Sequence, residues 1–136
     1  PQGIAAREWL GRTPGGGERT LRPPNRGDIL HLQFDPASGR EMQGPHFCLV
    51  VSPKSFNQRF QLALVCPISG GMAAVARDSG FLIPLSGSGL RTDGSIHAHQ
   101  VKSLDWKARK ASVIERAPSH IVGQVLECLI SVLEDD

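Results

Sequence analysis

The sequence predicts a small, mostly β domain closed by one C-terminal helix, an α+β chain built around a short-stranded antiparallel barrel. Three observations carry this. Short apolar runs rich in Val, Leu, Ile and Phe recur at intervals, separated by Gly, Pro, Asp and Ser clusters that punctuate strands. One segment alone, from Pro118 onward, repeats apolar residues at helical spacing. The chain of 136 residues has room for one domain and one modest core.

Residues 1–25 read as a flexible basic leader. They contain Pro14-Gly15-Gly16-Gly17 and Pro23-Pro24 with few apolar residues between. Residues 1–26 carry five arginines against Glu8 and Glu18, or +3, whereas residues 27–136 carry ten basic and eleven acidic groups, or −1. The folded part is therefore no general polyanion binder, and any phosphate contact must come from a local cluster.

A single domain over 26–136 begins at Arg26-Gly27-Asp28. Ile29 to Phe34 forms a first strand, and Asp35-Pro36-Ala37-Ser38-Gly39 a turn. The loop Arg40 to Pro45 follows, then a buried strand from His46 to Ser52 and a turn or short helix over 53–60. Gln61 to Cys66 is a third strand that Pro67 ends, and Gly80 to Leu85 a fourth. Ser95 to Ser103 reads as a fifth, with Ile96, Ala98 and Val101 apolar. Asp105 to Lys110 suggests a helical turn, and Ala111 to Ile114 a last strand. In the closing helix Ile121, Val122, Val125, Leu129, Val132 and Leu133 make the core stripe. Cys48, Cys66 and Cys128, odd in number and without CxxC spacing, read as small buried hydrophobes. No apolar run reaches membrane-span length and no signal sequence opens the chain, so a cytoplasmic location is expected.

The chemistry-bearing residues lie in the fifth strand. Side chains two apart share a face, so His97 and His99 should sit side by side with Gln100 and Lys102 behind them unless a bulge re-aims one. Two adjacent imidazoles titrate near neutrality and can hold one proton between them, as acid–base catalysis at two oxygens requires. On spacing alone, a solvated polar face and a two-histidine zinc ligand set remain alternatives.

The order of motifs resembles the PemK/Kid and MazF toxins, and most closely the PemK branch. Arg26-Gly-Asp-Ile, Phe34-Asp-Pro-Ala-Ser-Gly with Glu41 and Gln43-Gly44, Val50-Val51-Ser52-Pro53 with Phe56-Asn57, and Pro67-Ile68-Ser69-Gly70-Gly71 follow in sequence. Ala76-Arg77-x-x-Gly80-Phe81, Leu90-Arg91-Thr92-x-Gly94 and Gln100-Val101-Lys102-Ser103-Leu104-Asp105-x-Lys107-Ala108-Arg109 complete the set. The resemblance covers about residues 26–133. It implies an SH3-like small barrel that forms a homodimer and a metal-independent endoribonuclease acting on single-stranded RNA. It also implies a PemI- or MazE-like antitoxin as partner, and no cofactor.

Carried over residue by residue, the resemblance implies an altered active site. His46-Phe47 stands where the family has Arg-Pro, Ser69 replaces a Thr, Arg40 a loop His, and His97 and His99 the two ends of an Arg-x-Asp. The expected catalytic set is thus His97, His99, Arg40, His46 and Ser69, with His99 as base and His97 as acid. Gln43, Arg77, Phe81, Gln100 and Lys102 are the expected RNA contacts, joined on the RNA path by Lys107 and Arg109. The alternative is a catalytically inactive relative that binds antitoxin or RNA without cutting.

Overall fold

The computed structural model describes Ala6, residues 22–70 and residues 79–135. Among the described residues seven strands make one sheet: β1 (Asp28–Gln33), β2 (Pro45–Val50), β3 (Leu62–Ser69), β4 (Leu82–Pro84), β5 (Ser95–His97), β6 (Lys102–Asp105) and β7 (Ser112–Arg116). All pairings are antiparallel, in the order β4-β5-β3-β2-β1-β7, with β6 beside β5 on β3. A short helix α1 (Lys54–Phe60) links β2 to β3, and α2 (Ser119–Glu134) closes the domain.

This open, barrel-like sheet is packed on both faces, which explains why its middle strands read as continuous apolar runs rather than alternations. Alternate residues of β1, β2 and β3 feed two cores. Ile29, Leu49, Cys66 and Ile68 join Ile96, Ile121, Val122 and Val125 beneath α2. Leu30, Leu32, Phe34, Cys48, Val50, Ala63 and Val65 join Leu104 and Trp106 on the other face. Buried Cys48 and Cys66 are core residues, and burial pushes the Cys66 thiol up to about 12. Cys128 is only half-buried, its Sγ 3.4 Å from the Gly80 carbonyl.

Several elements differ from the sequence reading. Pro23 and Pro24, placed there in the leader, are buried, and the Pro24 carbonyl accepts a hydrogen bond from Asn57 Nδ2. The rest of the leader, apart from Ala6, Arg22 and Asn25, lies outside the described residues. Pro67 does not end β3, which runs on to Ser69. It sits where β3 exchanges one neighbour for another, pairing β6 through Val65 and β5 from Ile68. A break in the ladder is where a strand tolerates a missing N–H.

The same break divides the expected fifth strand. Only Ser95–His97 is strand; Ala98–Gln100 forms a 3-10 turn, and pairing resumes with Lys102–Asp105. The fourth strand is shorter than expected, and the last is displaced to Ser112–Arg116. After Asp105 comes a turn rather than a helix, with Asp105 Oδ1 accepting from the Lys107 and Ala108 N–H groups. The α2 stripe is core only over its first half. Val132 and Leu133 are exposed, Leu133 at 83%, because the helix runs past the sheet. Among the described residues no helix is long and apolar enough to cross a membrane.

Candidate active site

Strand register assembles the site. Phe47 pairs with Ile68, so one step along each strand sets His46 opposite Ser69, which in turn pairs with Ser95. Directly paired residues point to the same face, so His46, Ser69, Ser95 and His97 share one side of the sheet, away from α2. Gly94 makes this possible. With φ at +111° it takes a backbone shape that side chains disfavour, and a Cβ there would lie 2.9 Å from the Ser69 carbonyl carbon and oxygen.

His97 and His99 come together by a different route from the one expected. They do not lie on a continuous strand; the 3-10 turn between them stacks the rings instead, with centroids 5.6 Å apart and planes 29° apart. Their environments are opposite. His99 is exposed, whereas His97 is 5% exposed and its Nε2 has no hydrogen-bond partner among the described residues. Burial, the largest influence, lowers the His97 pKa below the usual imidazole value; a hydrogen bond with the Ser69 backbone works against it, and nearby His99 and His46 add to the lowering. A ring that donates from its other nitrogen to the backbone keeps Nε2 as a bare lone pair when neutral.

His46 faces the same cluster. Its Nε2 lies 2.8 Å from the Gln43 carbonyl, an acceptor, so Nε2 carries the hydrogen, and its ring meets Phe34 edge-on at 5.9 Å. Gln43 itself is exposed, and its backbone is what touches the site. Arg40 is exposed on the β1–β2 loop.

Phe34, Glu41, Met42, His99, Gln100, Val101 and Lys102 line a groove of about 210 Å³. Gln100 and Lys102 therefore share the groove with His99, because the 3-10 turn rotates them out of the strand pattern that would have set them behind it. The Gln100 amide is already engaged: Nε2 donates to the Arg40 carbonyl at 2.8 Å, and Oε1 accepts from the Met42 N–H at 3.0 Å. Lys102 Nζ lies 3.4 Å from Glu41 Oε1. The Ser38 N–H and then Lys102 hold the Glu41 carboxyl below its ordinary value.

Other expected contacts are placed differently. Phe81 packs half-buried against the core under α2, and its carbonyl accepts the Ala98 N–H at 2.9 Å, so it supports the turn between the histidines. Arg109 reaches the loop root, donating to the carbonyls of Gln33 and Asp35 at 2.5 and 2.7 Å. Arg77 lies outside the described residues. Sequence reasoning missed Phe34, Met42 and Gly94 as parts of the site; the Gly94-Ser95 step just before the histidines was the available signal for a close backbone approach. Among the described residues no three His, Cys, Asp or Glu side chains are grouped to hold a metal ion.

Fold and side chains together define a small open-barrel protein with a stacked imidazole pair at the edge of a groove of mixed polar and apolar lining. The chain belongs to the PemK-like, MazF-like toxin family of type II toxin–antitoxin systems, whose sequence pattern matches residues 25–133. Endoribonuclease PemK of Escherichia coli is 38% identical over 79% of this chain and 80% of its own length. Endoribonuclease toxin ChpB of E. coli is 40% identical over 80% of this chain and 93% of its own. The crystal structure of MazF from Deinococcus radiodurans superposes with a TM-score of 0.74 at 30% identity, covering 82% of this chain and 96% of that one. A MazE–MazF complex from the same organism gives 0.69 at 29% identity, over 83% and 97%.

Proposed function

We propose that this protein is the toxin of a type II toxin–antitoxin pair and a metal-independent endoribonuclease that cuts single-stranded RNA with a histidine-based site. The observation that carries the reading is the stacked His97–His99 pair, one ring buried and one exposed, beside Ser69 and His46. RNA cleavage through the 2′-hydroxyl needs a base for that proton, positive charge at phosphorus and an acid for the leaving 5′-oxygen. A base must be unprotonated, and burial favours that form of His97. We therefore reverse the roles expected from the sequence: His97 Nε2 takes the hydroxyl proton, and exposed His99 gives one to the leaving oxygen.

The pair favours this division, because two imidazoles this close resist being protonated together. The hydroxyl proton would also satisfy an otherwise orphaned buried nitrogen. The reading requires bound RNA to uncover Nε2. Arg40 offers a two-pronged donor to the phosphate, and the Ser69 hydroxyl and, when the ring is protonated, His46 Nδ1–H donate to its remaining oxygens. The partners are a MazE-like antitoxin, in line with the complexes among the structural relatives, and a second copy of the chain.

The test is cleavage of a single-stranded RNA in EDTA from pH 5 to 8 by the native protein and by His97→Ala, His99→Ala and the double variant. Native cleavage that survives EDTA and falls about 10²- to 10⁴-fold in each variant supports the proposal. Equal cleavage by native and double variant moves the chemistry to Arg40 or His46. Loss in EDTA overturns metal independence, and RNA or antitoxin binding without cleavage makes this a binding member of the family.

A further inference from the structure

Gln100 was expected to touch RNA, yet its amide is committed on both sides. It follows His99 directly in the 3-10 turn and spans Glu41 on the opposite loop, holding the carbonyl of Arg40 and the N–H of Met42. These bonds join residues 60 and 58 positions apart in sequence. The loop's other bonds run within it, to its root, to β2, where His46 Nε2 donates to the Gln43 carbonyl at 2.8 Å, and to Lys102. Some are internal, as where Gly44 N–H donates to Asp35 Oδ1 at 3.0 Å and Ser38 N–H to Glu41 Oε1 at 3.1 Å. Arg109 grips the root of the loop at Gln33 and Asp35, well short of its tip. The Lys102–Glu41 pair does reach the tip, but it joins two partly exposed side chains at 3.4 Å, a weak tie.

We infer that Gln100 is a positioning residue: its amide bridges Arg40 and Met42 and so fixes the distance between the phosphate-binding loop and His99. This rests on the ribonuclease reading above and goes beyond it, for it removes Gln100 from the substrate contacts and gives it a mechanical task. A bidentate amide suits that task. It pairs one donor and one acceptor with a backbone carbonyl and N–H that flank a single residue, so the loop can neither slide along the turn nor lift from it without breaking both bonds. Misplacement of a catalytic group by about 1 Å costs on the order of 10²-fold in rate.

The test compares full-length native protein with Gln100→Met, which keeps length and loses both bonds, and Gln100→Glu, which keeps the acceptor for Met42 N–H alone. Steady-state cleavage of one RNA oligonucleotide gives kcat and KM separately, and amide hydrogen exchange reports Met42 without reference to activity. For Gln100→Met the expected result is kcat lowered roughly 10- to 100-fold, KM close to native and faster Met42 exchange. Gln100→Glu should keep Met42 protected and recover part of kcat. A raised KM at native kcat would overturn the inference in favour of direct RNA contact, and so would native exchange at Met42 in Gln100→Met. Cleavage by neither native protein nor variants would overturn the ribonuclease reading and this inference with it, a result plainly different from failure in the variants alone.

Discussion

Two buried polar centres lie on the same sheet and are built in opposite ways. At one, between α1 and β3, Asn57 and Ser52 close a complete circuit. Asn57 Nδ2 donates to the carbonyls of Pro24 and Ser52 at 2.9 and 3.1 Å, and its Oδ1 accepts from Ser52 Oγ at 2.5 Å. Ser52 Oγ in turn accepts the Leu64 N–H at 2.9 Å, while the Asn57 carbonyl accepts Trp106 Nε1 at 2.9 Å. At the other, His97 is nearly as buried, but its Nε2 has no partner among the described residues. A satisfied network anchors a fold, whereas an orphaned buried nitrogen costs stability and is kept where it has a chemical use.

The comparison is broken most forcefully at Asn57. Asn57→Leu deletes three side-chain hydrogen bonds and strands the Pro24 and Ser52 carbonyls and the Ser52 hydroxyl in the interior. The expected cost is about 3 kcal/mol, read from the urea midpoint at unchanged slope. A loss under about 1 kcal/mol would show that the circuit is not the anchor described.

How much of this was legible in the sequence follows the same division. The two-faced strands announced themselves as unbroken apolar runs such as Phe47 to Val51, and the first half of α2 by its helical stripe, because both patterns are local. The motif order told the family. What stayed hidden was long-range. The turn over Ala98–Gln100 exists because β3 changes neighbours beside Pro67, thirty residues away in the chain, so a strand reading of Ser95 to Ser103 had nothing local to contradict it. The commitment of Gln100 to the β1–β2 loop was equally invisible, since an isolated Gln before Val-Lys looks like a free polar contact. Val132 and Leu133 carry the helical period beyond the sheet that would have covered them. The burial of His97, and with it the sense of its titration, depended on neighbours from β3 and β2 that spacing could not supply.

That titration gives a second and smaller effect. The His97 pKa is lowered in the folded protein from an ordinary value of 6.5, so below that pH the unfolded chain binds more protons than the folded one. Its contribution to stability is present above 6.5 and is lost as pH falls from there through the folded pKa. Glu41 and Glu115, also lowered, start from 4.5 and act mainly below it, which leaves His97 the larger share of the interval up to 6.5. His97→Phe should flatten the pH dependence of the urea midpoint in that interval. At pH 7 the midpoint reads the balance of two opposed effects, since Phe relieves the orphaned nitrogen but removes the hydrogen bond to the Ser69 backbone. An unchanged slope in the variant would assign the dependence to another group.

The smallest effect is expected at the groove rim. Lys102 and Glu41 form an ion pair of partly exposed side chains, screened by salt, so Lys102→Met should not move the urea midpoint at physiological ionic strength. It should act on RNA instead. An ammonium so weakly held by a carboxylate 3.4 Å away is available to a phosphate, and its removal should reduce the slope of log affinity against log salt by about 1 without changing which sequence is cut. A salt slope equal to the native one would show that Lys102 stays with Glu41 when RNA binds. Lys102 would then be a rim residue that neither holds the fold, as Asn57 does, nor meets the substrate.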